Sequence, residues 1–148
     1  MILLDSNIFI IDRFFKRDTH YDVNRRFVER LPAWEAGISI YGLLETCGLA
    51  SFNLSPLELA QWYYHFDQVY NVRVLFPHHL ERTAARFFDD LLDATYRLFL
   101  RKMTFVDAVI LMTAEEYSVS HLITWNKKHF EGRTDILVMT PEEFLAAM

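Results

Sequence analysis

The sequence predicts an α/β protein in which helices cover both faces of a mainly parallel sheet. Short apolar, β-rich runs alternate along the chain with longer stretches of helical periodicity. The short runs are continuously apolar, which is typical of strands buried on both sides. Together these two observations predict a three-layer α/β/α architecture. The length of 148 residues fits a single domain, residues 1–148, that is large enough to bury a sizeable core.

Five short segments are predicted to be strands because each is apolar and bounded by helical or turn-forming sequence. They comprise residues 1–5, 37–40, 72–76, 121–125 and 136–139. Most of the connections are long enough to hold a helix, as a parallel sheet requires. The stretch Glu131-Gly132-Arg133-Thr134, before the last strand, is typical of an ordinary turn.

The helices are predicted from apolar periodicity together with helix start signals. Ser55-Pro56-Leu57-Glu58 places a cap, a first-turn proline and a capping-box glutamate in order, and Thr140-Pro141-Glu142-Glu143 repeats that signature. The predicted helices comprise residues 7–15, 20–31, 41–52, 56–69, 79–101 and 105–117, with a last short helix from Pro141.

Composition and charge exclude several classes of protein. The net charge of −5 argues against general attraction to nucleic acid, so any such contact must be local. Cys47 is the only cysteine, which excludes an internal disulfide or a thiolate zinc site and is compatible with a reducing compartment. No apolar run approaches the length of a spanning helix, and the start of the chain does not resemble a secretion signal. We therefore expect a cytoplasmic protein with no membrane contact.

Three acidic residues are expected to meet at one edge of the sheet. Right-handed crossovers put the C-terminal end of every parallel strand, and the start of each following helix, on the same edge, where ligands bind. Asp5 ends the first predicted strand, Glu45 lies in the first turns of the helix after the second, and Asp107 lies in the first turn of the helix before the fourth. Asn126, which follows the fourth predicted strand, reaches this edge as well.

Such a cluster predicts a divalent metal ion. Three carboxylates close together repel one another unless a cation lies between them, and hard oxygen ligands suit Mg²⁺ or Mn²⁺. A bound ion can activate water for attack on a phosphodiester and neutralise charge on the phosphoryl group. Hydrolysis of a phosphodiester bond is therefore the chemistry that we expect.

Each acid also has a purely structural interpretation. Asp5 could cap the first helix, Glu45 could interact with a helix dipole, and Asp107 completes Thr104-Phe105-Val106-Asp107, which resembles a capping box. The apolar sequence beside Asp5 and Asp107 weighs against these roles, because an unpaired buried charge is costly.

Four segments, through their order and spacing, carry a resemblance to a known family. They are Ile2-Leu3-Leu4-Asp5-Ser6-Asn7, Ser39-Ile40 to Leu44-Glu45, Phe105-Val106-Asp107-Ala108, and Leu122-Ile123-Thr124-Trp125-Asn126-Lys127-Lys128-His129-Phe130. Together they resemble the PIN-domain family, especially the VapC-type ribonuclease toxins of toxin–antitoxin pairs. The resemblance implies a five-stranded sheet in the order 3-2-1-4-5, with Asp5 beside Asn126. It also implies a Mg²⁺- or Mn²⁺-dependent endoribonuclease that is commonly dimeric and is inhibited by a cognate antitoxin.

The resemblance assigns Asp5, Glu45 and Asp107 as metal ligands and Asn126 as a fourth catalytic position. Many members of the family carry an aspartate where this chain has Asn126. The site therefore has one negative charge fewer and would hold a second ion more weakly. We expect one firmly bound ion, with the amide of Asn126 in a supporting role.

Four further residues are predicted to support the site. Asn7 and Thr124 are expected to position the acids through hydrogen bonds, although a turn or cap role fits either residue equally well. Lys127 and Lys128 follow the site directly and could contact RNA phosphates. A solvated surface is the simpler interpretation of both lysines.

The function predicted from the sequence is RNA cleavage by the toxin of a type II toxin–antitoxin pair. Its expected partners are RNA, an antitoxin and a second copy of the chain, and the aromatic content of 16% favours such apolar contacts. A non-catalytic PIN-like scaffold with a degenerate metal site is the alternative, and Asn126 is its best support. A receiver-like phosphoacceptor domain ranks last, because no acidic pair stands beside Asp5. No glycine-rich phosphate loop occurs, which argues against P-loop enzymes and nucleotide-dependent dehydrogenases.

Overall fold

The computed structural model describes residues 1–78 and 83–148, which include five strands of one sheet. The strands are β1 (Ile2–Leu4), β2 (Ala36–Ser39), β3 (Arg73–Leu75), β4 (His121–Ile123) and β5 (Leu137–Met139). Their order is β3-β2-β1-β4-β5, and every neighbouring pair is parallel. At the centre, Leu4 of β1 is in register with Ile38 on one side and with Ile123 on the other. The predicted α/β class and strand order are confirmed.

Helices connect the strands and cover both faces of the sheet. In the described ranges they are α1 (Ser6–Phe14), α2 (Tyr21–Glu29), α3 (Ile40–Ala50), α4 (Pro56–Tyr64), α5 (Phe66–Tyr70), α6 (Ala84–Leu100), α7 (Phe105–Glu116) and α8 (Pro141–Ala147). The two predicted capping boxes, at the starts of α4 and α8, are both formed. Among these helices, none combines the length and the apolar character that crossing a bilayer would require.

Successive side chains of β1 point to opposite faces of the sheet, so the buried core forms one cluster on each face. Ile2 and Leu4 belong to a cluster with α1 and α2 that includes Phe9, which is fully buried. Leu3 points to the opposite face and packs in a second cluster with residues of α6 and α7, including Leu111. Because β1 is buried on both faces, its apolar sequence is continuous, and this confirms the predicted three layers.

The predicted helix over residues 56–69 is divided into α4 and α5. At His65 the backbone leaves the helical region, with φ −123° and ψ 19°. The division allows Phe66 and Tyr70 to place their rings against Phe9, each at a centroid distance of 4.8 Å. Tertiary packing therefore overrides local helical propensity at this point.

Other predicted elements differ from the structure mainly at their ends. The predicted helix over residues 79–101 contains α6, which begins after its cap Thr83, and its residues 79–82 lie outside the described ranges. The predicted strands over residues 1–5 and 121–125 end earlier, at Leu4 and Ile123. Asp5 and Thr124 consequently emerge from neighbouring strands at the same edge of the sheet.

Candidate active site

Asp5 lies where β1 passes into α1, and its side chain is almost completely buried, with the residue only 5% exposed. Its backbone N–H donates to the carbonyl of Ile123 at 3.0 Å, which fixes Asp5 against the end of β4. Asp5 occupies the N-cap position of α1, but its carboxylate makes no capping hydrogen bond. The helix-cap interpretation of this acid therefore does not explain its side chain.

Neutral donors surround the Asp5 carboxylate. The Thr124 hydroxyl and the Asn7 amide each donate to Oδ2 at 2.6 Å, and the Ser6 hydroxyl lies 3.3 Å from Oδ1. Asn7 also donates to the Thr124 hydroxyl oxygen at 3.0 Å, so the two supporting residues hold one another. Asn7 and Thr124 thus contact the acid that they were expected to position.

Ser6 joins Asp5 to a second acid. Its hydroxyl lies 2.5 Å from Oε2 of Glu45, which is half-buried on α3. The helix that carries Glu45 is fixed at its start, because the Ser39 hydroxyl accepts hydrogen bonds from the backbone N–H groups of Tyr41 and Gly42. Ser6 was not predicted as part of the site, although its position next to Asp5 was the available signal.

Burial and like charge raise the pKa of the Asp5 carboxyl. The pKa rises from the ordinary 3.8 to about 6, chiefly because burial removes water from the charged form. The hydrogen bond from Thr124 opposes this rise, and the charges of Glu45 and Asp107 add to it. Both other acids therefore act electrostatically on Asp5 from within the same region.

Asp107 lies in the first turn of α7 and has two polar neighbours. The Thr104 hydroxyl donates to its Oδ2 at 2.7 Å, and Nδ1 of His129 lies 3.3 Å from the same oxygen. The backbone N–H of Asp107 donates in turn to the Thr104 hydroxyl. Part of the capping-box interpretation is thus realised, because Thr104 caps α7. His129 was not predicted as part of the site, although the segment Lys127-Lys128-His129 had been singled out.

Asn126 occupies the loop after β4, but its side chain is exposed. Its backbone N–H donates to the Thr124 hydroxyl oxygen at 2.9 Å, and this bond connects it to the acids. Among the residues that the structure describes, no hydrogen bond links the Asn126 amide to Asp5. The predicted proximity of Asn126 to Asp5 is therefore observed for the Asn126 backbone, which Thr124 connects to Asp5.

The two lysines that follow Asn126 have different surroundings. The ammonium of Lys127 lies 2.9 Å from both carboxylate oxygens of Glu143 and 3.1 Å from Glu131, and these contacts raise its pKa. Lys128 is exposed. Lys127 is therefore engaged within the chain, and Lys128 is the lysine of this pair that is better placed to meet a phosphate.

The donor set fits a hard divalent cation. Carboxylate, hydroxyl and amide oxygens surround Asp5, and no Lys, Arg or His within residues 1–78 and 83–148 forms an ion pair with Asp5 or Glu45. Over the same ranges, however, no group of three or more His, Cys, Asp or Glu side chains stands close enough together to hold one ion. The chemistry of the oxygens suits Mg²⁺ or Mn²⁺, and the side-chain spacing does not bring all three acids to a common point.

Comparison with solved structures identifies the fold of the chain. No family model and no curated protein matches the chain. Among solved structures, a toxin–antitoxin complex from Klebsiella pneumoniae matches at TM-score 0.59 and 22% identity, over 95% of this chain and 98% of that one. VapBC-1 from nontypeable Haemophilus influenzae matches at TM-score 0.63 and 18% identity, over 96% and 99% of the two chains.

A third solved structure is VapC20 of Mycobacterium tuberculosis, a toxin that cleaves the sarcin–ricin loop. It matches at TM-score 0.57 and 17% identity, over 82% of this chain and 87% of that one. At these identities the similarity is one of fold. The chain has the PIN-domain fold of the VapC-type structures, as the sequence resemblance predicted.

Proposed function

We propose that this protein is a Mg²⁺- or Mn²⁺-dependent endoribonuclease and the toxin of a type II toxin–antitoxin pair. The observation that carries the proposal is the Asp5 carboxylate, which is buried, faces two other acids and has no basic counter-ion among the described residues. A carboxylate in this setting is costly unless a ligand compensates its charge. The fold of the VapC-type structures makes a metal-dependent nuclease the best-supported use of that charge.

The residues of the chain have distinct roles in the proposed reaction. Metal binding would have to draw the carboxylates of Asp5, Glu45 and Asp107, which share one edge of the sheet, to a common ion. When bound, that ion would activate water and neutralise charge on the phosphoryl group. Thr124 and Asn7 fix the Asp5 oxygens, and Ser6 fixes the orientation of Glu45 relative to Asp5.

Two groups at the rim of the site are assigned to the RNA. The amide of Asn126 is available to orient water or substrate at the edge of the sheet. Lys128 supplies a local positive charge for the RNA backbone, which the overall charge of the chain does not provide.

The direct test is cleavage of RNA by the purified full-length chain. A mixed RNA pool is incubated with Mg²⁺ or Mn²⁺, with an EDTA control and with the Asp5→Asn variant. The proposal predicts discrete cleavage products that depend on the metal and disappear in the variant. Intact RNA with every metal, from a protein that is folded by circular dichroism, would contradict it.

A non-catalytic scaffold is the second candidate, and two observations favour it. Position 126 carries a neutral amide, and in the described part of the chain the acids do not form a ready group of three around one point. A scaffold would bind its partner without cutting RNA. Restoring an acid with Asn126→Asp separates the two candidates, because only a nuclease with a weakened metal site should gain activity.

The proposed antitoxin and homodimer contacts are supported by exposed apolar side chains. Phe88, Leu92 and Tyr96 follow one another at intervals of four residues on α6, and all three are exposed. Leu44 and Phe52 are exposed on and just after α3, the helix that carries Glu45. Sedimentation of the purified chain, compared with Leu92→Lys and Leu44→Lys, tests whether either surface joins two copies.

A further inference from the structure

Beside the acids lies a stacked pair of aromatic rings that has no role in the proposed cleavage step. His20, between α1 and α2, stacks on the indole of Trp125 with ring centroids 4.2 Å apart and an interplanar angle of 18°. Trp125 immediately follows Thr124, whose hydroxyl donates to Asp5. The stacked pair is therefore joined to the acid site through adjacent residues of one loop.

Hydrogen bonds hold the indole of Trp125 in one orientation. Its ring N–H donates to Oδ1 of Asn24 at 2.8 Å, and the buried Asn24 amide donates to the carbonyl of Ile8 at 2.8 Å. The backbone N–H of Trp125 also donates to Oδ1 of Asn7 at 3.3 Å, and Asn7 contacts Asp5. A flat surface fixed in this way loses little freedom when a ligand stacks on it.

The outer ring of the stack is open to solvent. His20 is exposed, and because Trp125 covers one face of its imidazole, the opposite face contributes to the exposed surface. The hydrogen bonds that His20 forms within the described ranges use its backbone, and they hold the segment that presents the ring. Lys16 and Arg17 precede it on the same exposed connection, and Asp18, which accepts a hydrogen bond from the backbone N–H of His20, offsets part of their positive charge.

We propose that His20 and Trp125 form a nucleobase subsite for single-stranded RNA, in which one base stacks on the outer face of His20. The inference rests on the proposed function, because it places that base next to the phosphodiester that the acids would act on. Unpaired bases stack on aromatic and histidine side chains, whereas paired bases in a duplex do not offer a free face. The subsite therefore selects single strands, loops or bulges over RNA helices.

The test measures RNA affinity separately from cleavage. The full-length Asp5→Asn protein is titrated, in Mg²⁺, into a fluorescently labelled single-stranded RNA oligonucleotide, and binding is followed by anisotropy. Adding His20→Ala should weaken binding about tenfold, since base stacking on a side chain typically contributes an effect of this size. His20→Phe keeps a flat ring and should retain most of the affinity.

The chain offers a matched control for loss of a histidine. His78 also lies against an aromatic ring, that of Tyr117, with centroids 4.6 Å apart. Tyr117 follows the C-terminal end of α7, about 15 Å along the helix from Asp107. His78→Ala should leave RNA affinity unchanged, and equal weakening by both variants would contradict a specific subsite.

A series of RNAs with a single abasic position identifies the stacked base. Binding by the His20-containing protein should fall for one abasic position, and His20→Ala should show no additional loss with that RNA. One outcome would contradict the subsite and support the nuclease: the wild type cleaves the RNA, but adding His20→Ala to the Asp5→Asn protein leaves its affinity for intact RNA unchanged.

Other outcomes also separate the two proposals. RNA that is bound through His20 but never cut supports the subsite and contradicts the nuclease. RNA that is neither bound nor cut overturns both. Unchanged RNA affinity together with lost binding of a co-purifying protein would assign the stack to a protein interface and overturn the subsite.

Discussion

Asp5 and Asp12 lie at opposite ends of α1 and are buried to a similar degree, but their surroundings are opposite. Asp5 precedes the first residue of α1 and is 5% exposed, and Asp12 lies near the end of α1 and is 8% exposed. Asp12 forms an ion pair with Arg25 at 3.2 Å, and its hydrogen bond raises the pKa of that guanidinium. Asp5 is held by neutral donors and faces two more acids.

The difference shows that the fold can supply a cation to a buried aspartate and does so at Asp12. A buried charge without compensation destabilises a protein. An uncompensated buried charge at Asp5, in the same region as two further acids, is consistent with a site at which a ligand, rather than the chain, compensates the charge. Such sites commonly trade stability for function.

The largest expected effect is on RNA cleavage. Asp5→Asn should lower the rate at least about 100-fold, because a metal ion contributes several kcal/mol to the stabilisation of charge in the transition state. Asp12→Asn removes an equally buried carboxylate from the same helix and should lower the rate less than about threefold, since its partner Arg25 lies outside the acid site. Initial rates on one RNA substrate, at matched folded protein concentration, give the comparison. Equal losses in the two variants would show that Asp5 acts only through stability.

Metal binding should stabilise the wild type and depend on Asp5. At a concentration about 100 times its dissociation constant, Mn²⁺ should add about 3 kcal/mol to the free energy of unfolding. Asp12→Asn should keep this gain and Asp5→Asn should lose it. Urea unfolding with and without Mn²⁺ measures the effect, and a metal response that survives Asp5→Asn would place the ion elsewhere.

Without metal, Asp5→Asn should stabilise the protein at pH 7 by about 3 kcal/mol, because the raised pKa means that the native state disfavours the charged carboxylate. An asparagine could still accept from Thr124 and Asn7 through its oxygen and donate to Ser6. For an acid whose pKa is raised on folding, the penalty is complete above about pH 6 and disappears as the pH falls toward 3.8.

The advantage of Asp5→Asn should therefore shrink as the pH falls from 7 to 4. Urea unfolding in EDTA at several pH values measures this dependence. The matched variant Asp12→Asn should be less stable than the wild type at pH 7, since it weakens an ion pair. A stabilisation by Asp5→Asn that is independent of pH would contradict the electrostatic explanation.

The smallest expected effect is on the free energy of unfolding when Arg25, the partner of Asp12 near the end of α1, is removed. Arg25→Met should cost about 1 kcal/mol, because it leaves the buried Asp12 unpaired, although the Arg25 side chain is half exposed and water moderates the loss. Arg73→Met is the control, since Arg73 and its partner Glu35 are both exposed and the loss of this pair should not be measurable. Thermal or urea unfolding distinguishes the two. Equal effects would mean that burial of Asp12 does not matter.

The sequence predicted the fold well because the relevant information is local. Continuous apolar strands and the capping boxes at Ser55 and Thr140 define elements without reference to distant residues. The division of the helix at His65 was not predictable in this way, because it depends on the contacts of Phe66 and Tyr70 with Phe9.

The same distinction applies to the candidate site. The topology brought the predicted acids to one edge of the sheet, since strand ends share that edge. The roles of Ser6 and Lys127 depend on Glu45 and Glu143, which are 39 and 16 positions away in sequence. Which side chain contacts which acid follows from tertiary packing, and spacing along the chain does not encode it.

The contact between Thr124 and Asp5 has a consequence for how the protein is made. Asp5 is translated before Thr124, whose hydroxyl fixes the Asp5 carboxylate and comes 119 positions later. One edge of β1 likewise waits for β4. The acid site therefore cannot assemble before Thr124 has been synthesised and β4 has paired with β1.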